Sequence, residues 1–298
     1  MTSHVSSHDA LRAGLTMVLA SASFVVNDTL VKLLGGTVPA GEIIAVRGGM
    51  SVLLLGIVCF QQRLFFAVRH LLAGSVVARA GFDCVATFLF IVALLHMPIA
   101  SLTSIIQTVP LAVIGMAYLL LGERVGWRRM TAIVVGFIGV LFIARPSPAS
   151  FSLYDGFAVL IVLLAAARDI ITRRIPGYIP VLIVAFGNAI LVALGGLAFG
   201  LVEGFVPLAP WQFACLAAAS LFLGLGYSFM VMTLRLGEIA VSAPFRYANV
   251  LFSIFSGVAV FGEYPDLLAL CGMALIVVSG LYTIHRQRVL ANKLAATH

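Results

Sequence analysis

The sequence predicts an all-α integral membrane protein: ten transmembrane helices forming two inverted five-helix repeats around a central cavity. Three observations carry this expectation. Of 298 residues, 62% are hydrophobic and only 10% are charged, whereas a soluble domain carries about 25% charged residues. Apolar runs of roughly 20 residues recur along the whole chain, each long enough to cross the ~30 Å hydrocarbon core. Finally, two similar stretches lie half a chain apart, beginning at Pro98 and at Glu238. A buried soluble core would need polar faces around it, and the chain has none to offer.

Charge and Pro/Gly punctuation divide the apolar runs into ten spans. They cover residues 11–34, 40–60, 73–95, 98–121, 128–145, 154–174, 178–202, 210–235, 239–262 and 265–284. All are expected to be helical, because a lipid-exposed strand edge leaves backbone groups unpaired. The first begins like a signal peptide, with Arg12, an apolar run and the small residues Ala20, Ser21 and Ala22. Its helical pattern continues to Leu34, so it is read as a retained helix.

Basic residues set the sidedness. With a cytoplasmic N-terminus, the inner loops and ends hold Arg12, Arg63, Arg69, Arg79, Arg124, Arg128, Arg129, Arg173, Arg174, Arg235, Arg286, Arg288 and Lys293. The outer side holds only Lys32 and Arg145. Positive charge stays inside, so both termini face the cytoplasm and residues 285–298 form a basic cytoplasmic tail. The net charge of +7 therefore reports topology. It forms no stripe along one helix and implies no nucleic acid partner. Cys59, Cys84, Cys215 and Cys271 lie inside apolar runs without metal or redox spacing, and read as reduced, buried thiols. The histidines lack metal-ligand spacing. No metal or cofactor is expected.

The duplication is explicit. PIASLTSIIQTVPLAVIGMAYLLLGERVGWRR from Pro98 resembles EIAVSAPFRYANVLFSIFSGVAVFGEYPD from Glu238. Ile99 and Ala100 align with Ile239 and Ala240, and Gly122-Glu123 with Gly262-Glu263. NDTLVK at 27–32 aligns loosely with RDIITR at 168–173. A unit with five crossings is odd, so its second copy, 154–284, enters the membrane the other way up from the first, 11–145. That architecture gives one chain two related arrangements around a shared site near the midplane.

These features resemble the drug/metabolite transporter superfamily, and within it the EamA-type permeases of bacterial inner membranes. The most specific part is APFRYANVLFSIFSGVAVFGEYPD. The resemblance implies spans 1–4 and 6–9 around a cavity. Spans 5 and 10 would lie at the periphery, often used for a homodimer. It also implies a small organic metabolite as cargo. Members carry amino acids, nucleotide-like metabolites, riboflavin or S-adenosylmethionine, and some are exporters.

Ionisable groups inside a span cost roughly 2.5–3.5 kcal/mol each, so they face a cavity or a partner. Asp28 and Arg47 are expected to form an outer cluster, and Asp83, Asp169 and Arg246 an inner one, each closing one mouth. Arg168 and Asp169 form an inner gate, although snorkelling to the interface explains that pair equally well. Asn27, Thr87, Gln107, Asn188, Tyr227, Tyr247 and Asn249 supply polar and aromatic groups near mid-depth for substrate contact. The same groups could merely tie helices together. Pro110 in mid span 4 and Pro244 in the first turns of span 9 are candidate hinges. They do not align in the repeat. Gly136 and Gly139 in span 5, with Gly272, Ser279 and Gly280 in span 10, form small faces for packing or for a dimer.

Three function classes fit such a chain to different degrees. A secondary transporter fits the duplication and the buried charges, with Asp28 or Asp83 as proton carrier if transport is coupled. No G-x-x-x-x-G-K-[ST] motif exists for direct ATP drive. An intramembrane enzyme needs a nucleophile–base pair or metal cluster on neighbouring spans, and neither is found. A scaffold or lipid-handling protein leaves the duplication unexplained. The aromatic groups tilt the substrate toward a flat ring, such as riboflavin or an aromatic amino acid. Both import and export fit. Inversion is directly testable: a cysteine placed at Glu123 should label only from the cytoplasmic side, and one at Tyr264 only from outside. Labelling of both from one face overturns the inverted repeat.

Overall fold

The computed structural model describes residues 7–121, 127–144, 152–236 and 243–295. Among them there is no strand; every regular element is helical. The helices are α1 (Ser7–Lys32), α2 (Ala40–Gln61), α3 (Gly74–His96), α4 (Ile99–Ile106), α5 (Val109–Leu121) and α6 (Trp127–Ala144). After them come α7 (Leu153–Thr172), α8 (Val181–Glu203), α9 (Pro210–Leu236), α10 (Ala248–Ser256) and α11 (Leu267–Ala295). A 3-10 helix, Leu64–Leu72, joins α2 to α3, and another, Ala243–Tyr247, precedes α10. Among the described residues, seven segments are long and apolar enough to cross a membrane, and Met130–Ala144 and Phe245–Phe261 are shorter apolar helices. α7 carries Asp155, Arg168 and Asp169 within its 20 residues. Outward faces are greasy: Leu53, Phe60, Leu119, Val181, Val202 and Leu251 are between 66% and 82% exposed. Water would not tolerate that surface, but lipid does.

Two expectations need correction. Span 98–121 is not one helix: it breaks at Gln107 and Thr108 into α4 and α5. Pro110 therefore sits at the second residue of α5, where its missing N–H breaks no interior bond. Span 239–262, where described, is a 3-10 turn containing Pro244, then α10, then one π-helical turn, Gly257–Phe261. The predicted tail, residues 285–298, continues α11 helically as far as Ala295 where it is described. The Gly122-Glu123 half of the repeated signal lies outside the described residues.

The chain forms two compact units, and neither coincides with a sequence repeat. The first comprises Met1–Thr29, Pro98–Ser152 and Leu221–His298; the second comprises Leu30–Met97 and Leu153–Ser220.

In the second unit, α2 packs along α8 and α3 along α7 and α8. The α2–α8 seam is antiparallel and made of small residues. A Cβ on Gly48 would stand 2.7 Å from the Ala193 Cα, and one on Gly41 the same distance from the Gly200 Cα. Such backbone approach replaces hydrophobic drive, which is absent between helices in lipid. Acidic side chains close the seam's end. Glu203 accepts the N–H of Gly41 at 2.7 Å, and buried Glu42 accepts that of Val206 at 3.0 Å. Gly204 makes this turn with φ +89°, where a side chain would be strained.

In the first unit, α6 packs along α11 and α4 along α10. A Cβ on Gly139 would lie 2.7 Å from the Gly272 carbonyl, and one on Gly136 3.0 Å from the Ser279 hydroxyl. Gly280 lies against Tyr247 so closely that an added methyl would overlap its phenol oxygen. The small faces of predicted spans 5 and 10 are thus filled within the chain. Gly262 (φ +66°) ends the π-turn, and Glu263 then accepts the Ile99 N–H at 3.0 Å. That carboxylate caps the first turn of α4, where N–H groups lack intrahelical partners and the helix dipole favours an anion.

Gly196→Ala should destabilise the protein, because its methyl would meet the Ala45 nitrogen at 2.5 Å and the Ile44 side chain at 2.7 Å. Overpacking of this kind costs about 1–3 kcal/mol. Gly49→Ala, which meets nothing within 4 Å, should be neutral or stabilising by up to ~1 kcal/mol. Thermal unfolding in detergent, followed by size-exclusion chromatography, distinguishes the two.

Candidate functional site

Polar groups gather at one place in each unit. In the second unit the centre is Asp83 on α3. One of its oxygens accepts an N–H from the Arg168 guanidinium of α7 and the other accepts the Asn188 amide of α8 at 2.6 Å. Arg168 also donates its Nε to Asp169 at 3.0 Å, and its second terminal nitrogen lies 2.9 Å from the same oxygen. Asp83 is 14% exposed, Arg168 28% and Asp169 42%. Burial in a low-dielectric surround strengthens such charge-assisted bonds. One guanidinium between two carboxylates leaves a formal charge of −1. The Asn188 Oδ1 is buried with no partner among the described residues. Arg79 donates to the Thr172 hydroxyl at 3.1 Å one turn along α7 from Arg168, and Thr87 lies half-buried one turn along α3 from Asp83.

In the first unit a small cavity of about 70 Å³ is walled by Met17 and Phe24 of α1, Met230 of α9, Gln107, Arg246 and Asn249. Gln107 is 8% exposed and stands at the α4–α5 break. Its side-chain amide donates to the Arg246 carbonyl at 2.9 Å. Arg246 belongs to the 3-10 turn that precedes α10. A tighter turn frees carbonyls from the i−4 ladder, and a side-chain donor satisfies this one. Asn249 follows on α10, its Oδ1 buried with no partner among the described residues. Phe24 packs on Gly226, where a Cβ would approach to 2.7 Å, and meets Tyr227 edge-on at 5.3 Å between centroids.

The remaining predicted residues distribute as follows. Buried Asn27 donates to half-buried Asp28 at 2.8 Å in the first unit. Arg47 is half-buried on α2 in the second unit, its carbonyl accepting the Ser51 hydroxyl at 2.9 Å. Asp28 and Arg47 therefore belong to different units. Tyr247 is 8% exposed and packs on Gly280, while Tyr227 is 59% exposed. Arg246 belongs to the first unit and the Asp83–Asp169 group to the second; the cation seated on Asp83 is Arg168. Glu42 and Glu203 have no role among the sequence expectations, and Glu263 enters them only through the repeated Gly-Glu pair. Their signal was position: each lies at a helix end and beside a glycine.

Comparison with known proteins identifies the family. Residues 11–145 and 152–284 each match the EamA-like transporter family. The pseudopaline exporter of Pseudomonas aeruginosa is 27% identical over 276 residues, covering 91% of this chain and 95% of that protein. The S-adenosylmethionine uptake transporter of Rickettsia conorii is 25% identical over 295 residues, covering 96% and 98%. A riboflavin transporter of Brucella anthropi is 26% identical over 229 residues, covering 74% and 79%. A solved crystal structure shares the fold with a TM-score of 0.64 at 19% identity, covering 95% of this chain and 99% of the other. Two family matches spanning almost the whole length, on an all-helical chain with lipid-compatible faces, make this a multi-pass membrane protein of the EamA-like transporter family.

Proposed function

We propose that this protein is a secondary transporter that carries a small organic metabolite across the bacterial inner membrane by alternating access. Its ten spans form two inverted five-helix copies, with both termini in the cytoplasm. The observation that supports this most is the meeting of two interrupted helices at aligned places in the repeats. Gln107 at the α4–α5 break reaches the carbonyl of Arg246 in the 3-10 turn before α10. Inverted-repeat carriers build their sites from discontinuous helices of this kind. The pairing of α2 with α8, α4 with α10 and α6 with α11 adds support, since these are the expected repeat partners. It is what a duplication about a two-fold axis produces.

The substrate class is a zwitterionic or ring-bearing metabolite. Compounds like S-adenosylmethionine, riboflavin and aromatic amino acids come first, because relatives named for pseudopaline, S-adenosylmethionine and riboflavin bracket that chemistry. Asp83, Arg168, Asp169 and Asn188 act as the inner gate, and Asp83 is the proton carrier if transport is coupled. A homodimer through α6 and α11 would use outward groups such as Phe137 and Val278, since the glycines of those helices face each other.

Purified protein in liposomes should accumulate or exchange at least one radiolabelled compound from that set saturably, tested with and without a pH gradient. Flux no greater than in empty liposomes for all of them would sink the proposal. Arg168→Leu should cut flux at least tenfold, because it strands Asp83 half-buried without its cation. The double variant with Asp83→Asn should recover folded yield, giving a coupling of about 0.5–3 kcal/mol in a double-mutant cycle.

A further inference from the structure

We infer that the cavity of the first unit receives an α-amino-carboxylate head of the transported molecule, the carboxylate on Arg246 and the amino group on Asn249. The inference rests on the transporter reading above and deepens it. Among the described residues, Arg246 is the only ionisable group on the cavity wall. Among the described residues no carboxylate pairs with it, whereas Arg168 holds two. A guanidinium at membrane depth without a counter-charge is costly, and its planar fork suits a carboxylate bidentately. The buried Asn249 Oδ1 is an acceptor without a donor among the described residues. A protonated amine is all donor, so it meets that need. Gln107, 92% buried by its 8% exposure, holds the Arg246 backbone in place through its carbonyl.

Size sets the limit on what enters. The cavity's 70 Å³ is about half the ~150 Å³ that accommodates a benzene ring. It therefore takes a head group and not a whole metabolite, the rest of which extends beyond it. Met17, Met230 and Phe24 supply an apolar, polarisable wall, which lowers the local dielectric and strengthens a charge-assisted bond.

The test is ligand protection of the purified full-length protein against heat in detergent, which requires binding but no movement. The probes are L-phenylalanine and S-adenosylmethionine, each beside its analogue lacking the carboxylate, phenethylamine and decarboxylated S-adenosylmethionine. At least one parent should protect at a concentration about tenfold or more below its analogue, as a hydrogen bond to a charged group predicts. Arg246→Gln should shrink that preference to under twofold, and Arg246→Lys should retain part of it. The inference is overturned if neither parent protects, if the analogues protect equally well, or if both variants keep the full preference. The two readings fail separately. Arg246-dependent protection without flux in liposomes would leave the head-group site standing and remove the transporter. Riboflavin flux with no protection by either parent would do the reverse.

Discussion

An unpaired backbone N–H or C=O in hydrocarbon costs several kcal/mol, and that single constraint orders the whole chain. It explains why every described regular element is a helix, and it makes helix ends the dangerous places. The protein meets the danger with carboxylates from neighbouring helices. Glu263 receives the Ile99 N–H and Glu203 that of Gly41, each in the first turn of a helix, while Glu42 receives that of Val206 in the loop that follows α8. A carboxylate is itself expensive near lipid, but at a helix N-terminus it meets both orphan donors and the positive end of the dipole. Each partner thus reduces the other's desolvation cost, and each bond also fixes one helix against another.

With the ends closed, helices still need a reason to associate, and lipid offers no hydrophobic one. Close backbone approach supplies it. Gly41, Gly48 and Gly196 on the α2–α8 seam, and Gly139 with Gly272 on the α6–α11 seam, leave no room even for a methyl group. The sequence marked Gly136, Gly139, Gly272 and Gly280 as small faces but could not say what they faced. Spacing along one helix identifies a packing stripe; it does not name the partner. Three-dimensional register resolves this, and the partner is within the chain.

Hydrophobic runs, breaks and basic loops made most helices readable to within a few residues, because span length is dictated by bilayer thickness. Helical continuity was not readable in spans 4 and 9. Their composition stays apolar across the Gln107–Thr108 break and through the π-turn at Gly257–Phe261, so hydropathy alone registers no interruption. Proline was a misleading pointer: Pro110 lies just beyond the break and not at a mid-helix kink. Charged residues were identified one by one through their cost in lipid, yet their pairing was not. Asp83 and Arg168 are separated by 85 positions, and Arg168 beside an interface looks in sequence like any snorkelling arginine.

The two copies differ most where their interrupted helices meet, and the difference has a physical consequence. Gln107 and Tyr247 occupy aligned places, but one is a buried amide spent on the Arg246 carbonyl and the other a ring lodged on Gly280. Arg246 keeps its guanidinium on the cavity wall while its carbonyl is satisfied by Gln107, and Asn249 keeps a buried oxygen unspent among the described residues. The junction thus holds unsatisfied polar capacity beside apolar side chains. Such capacity is costly to stability on its own, and an incoming polar head group is the kind of partner that would offset it.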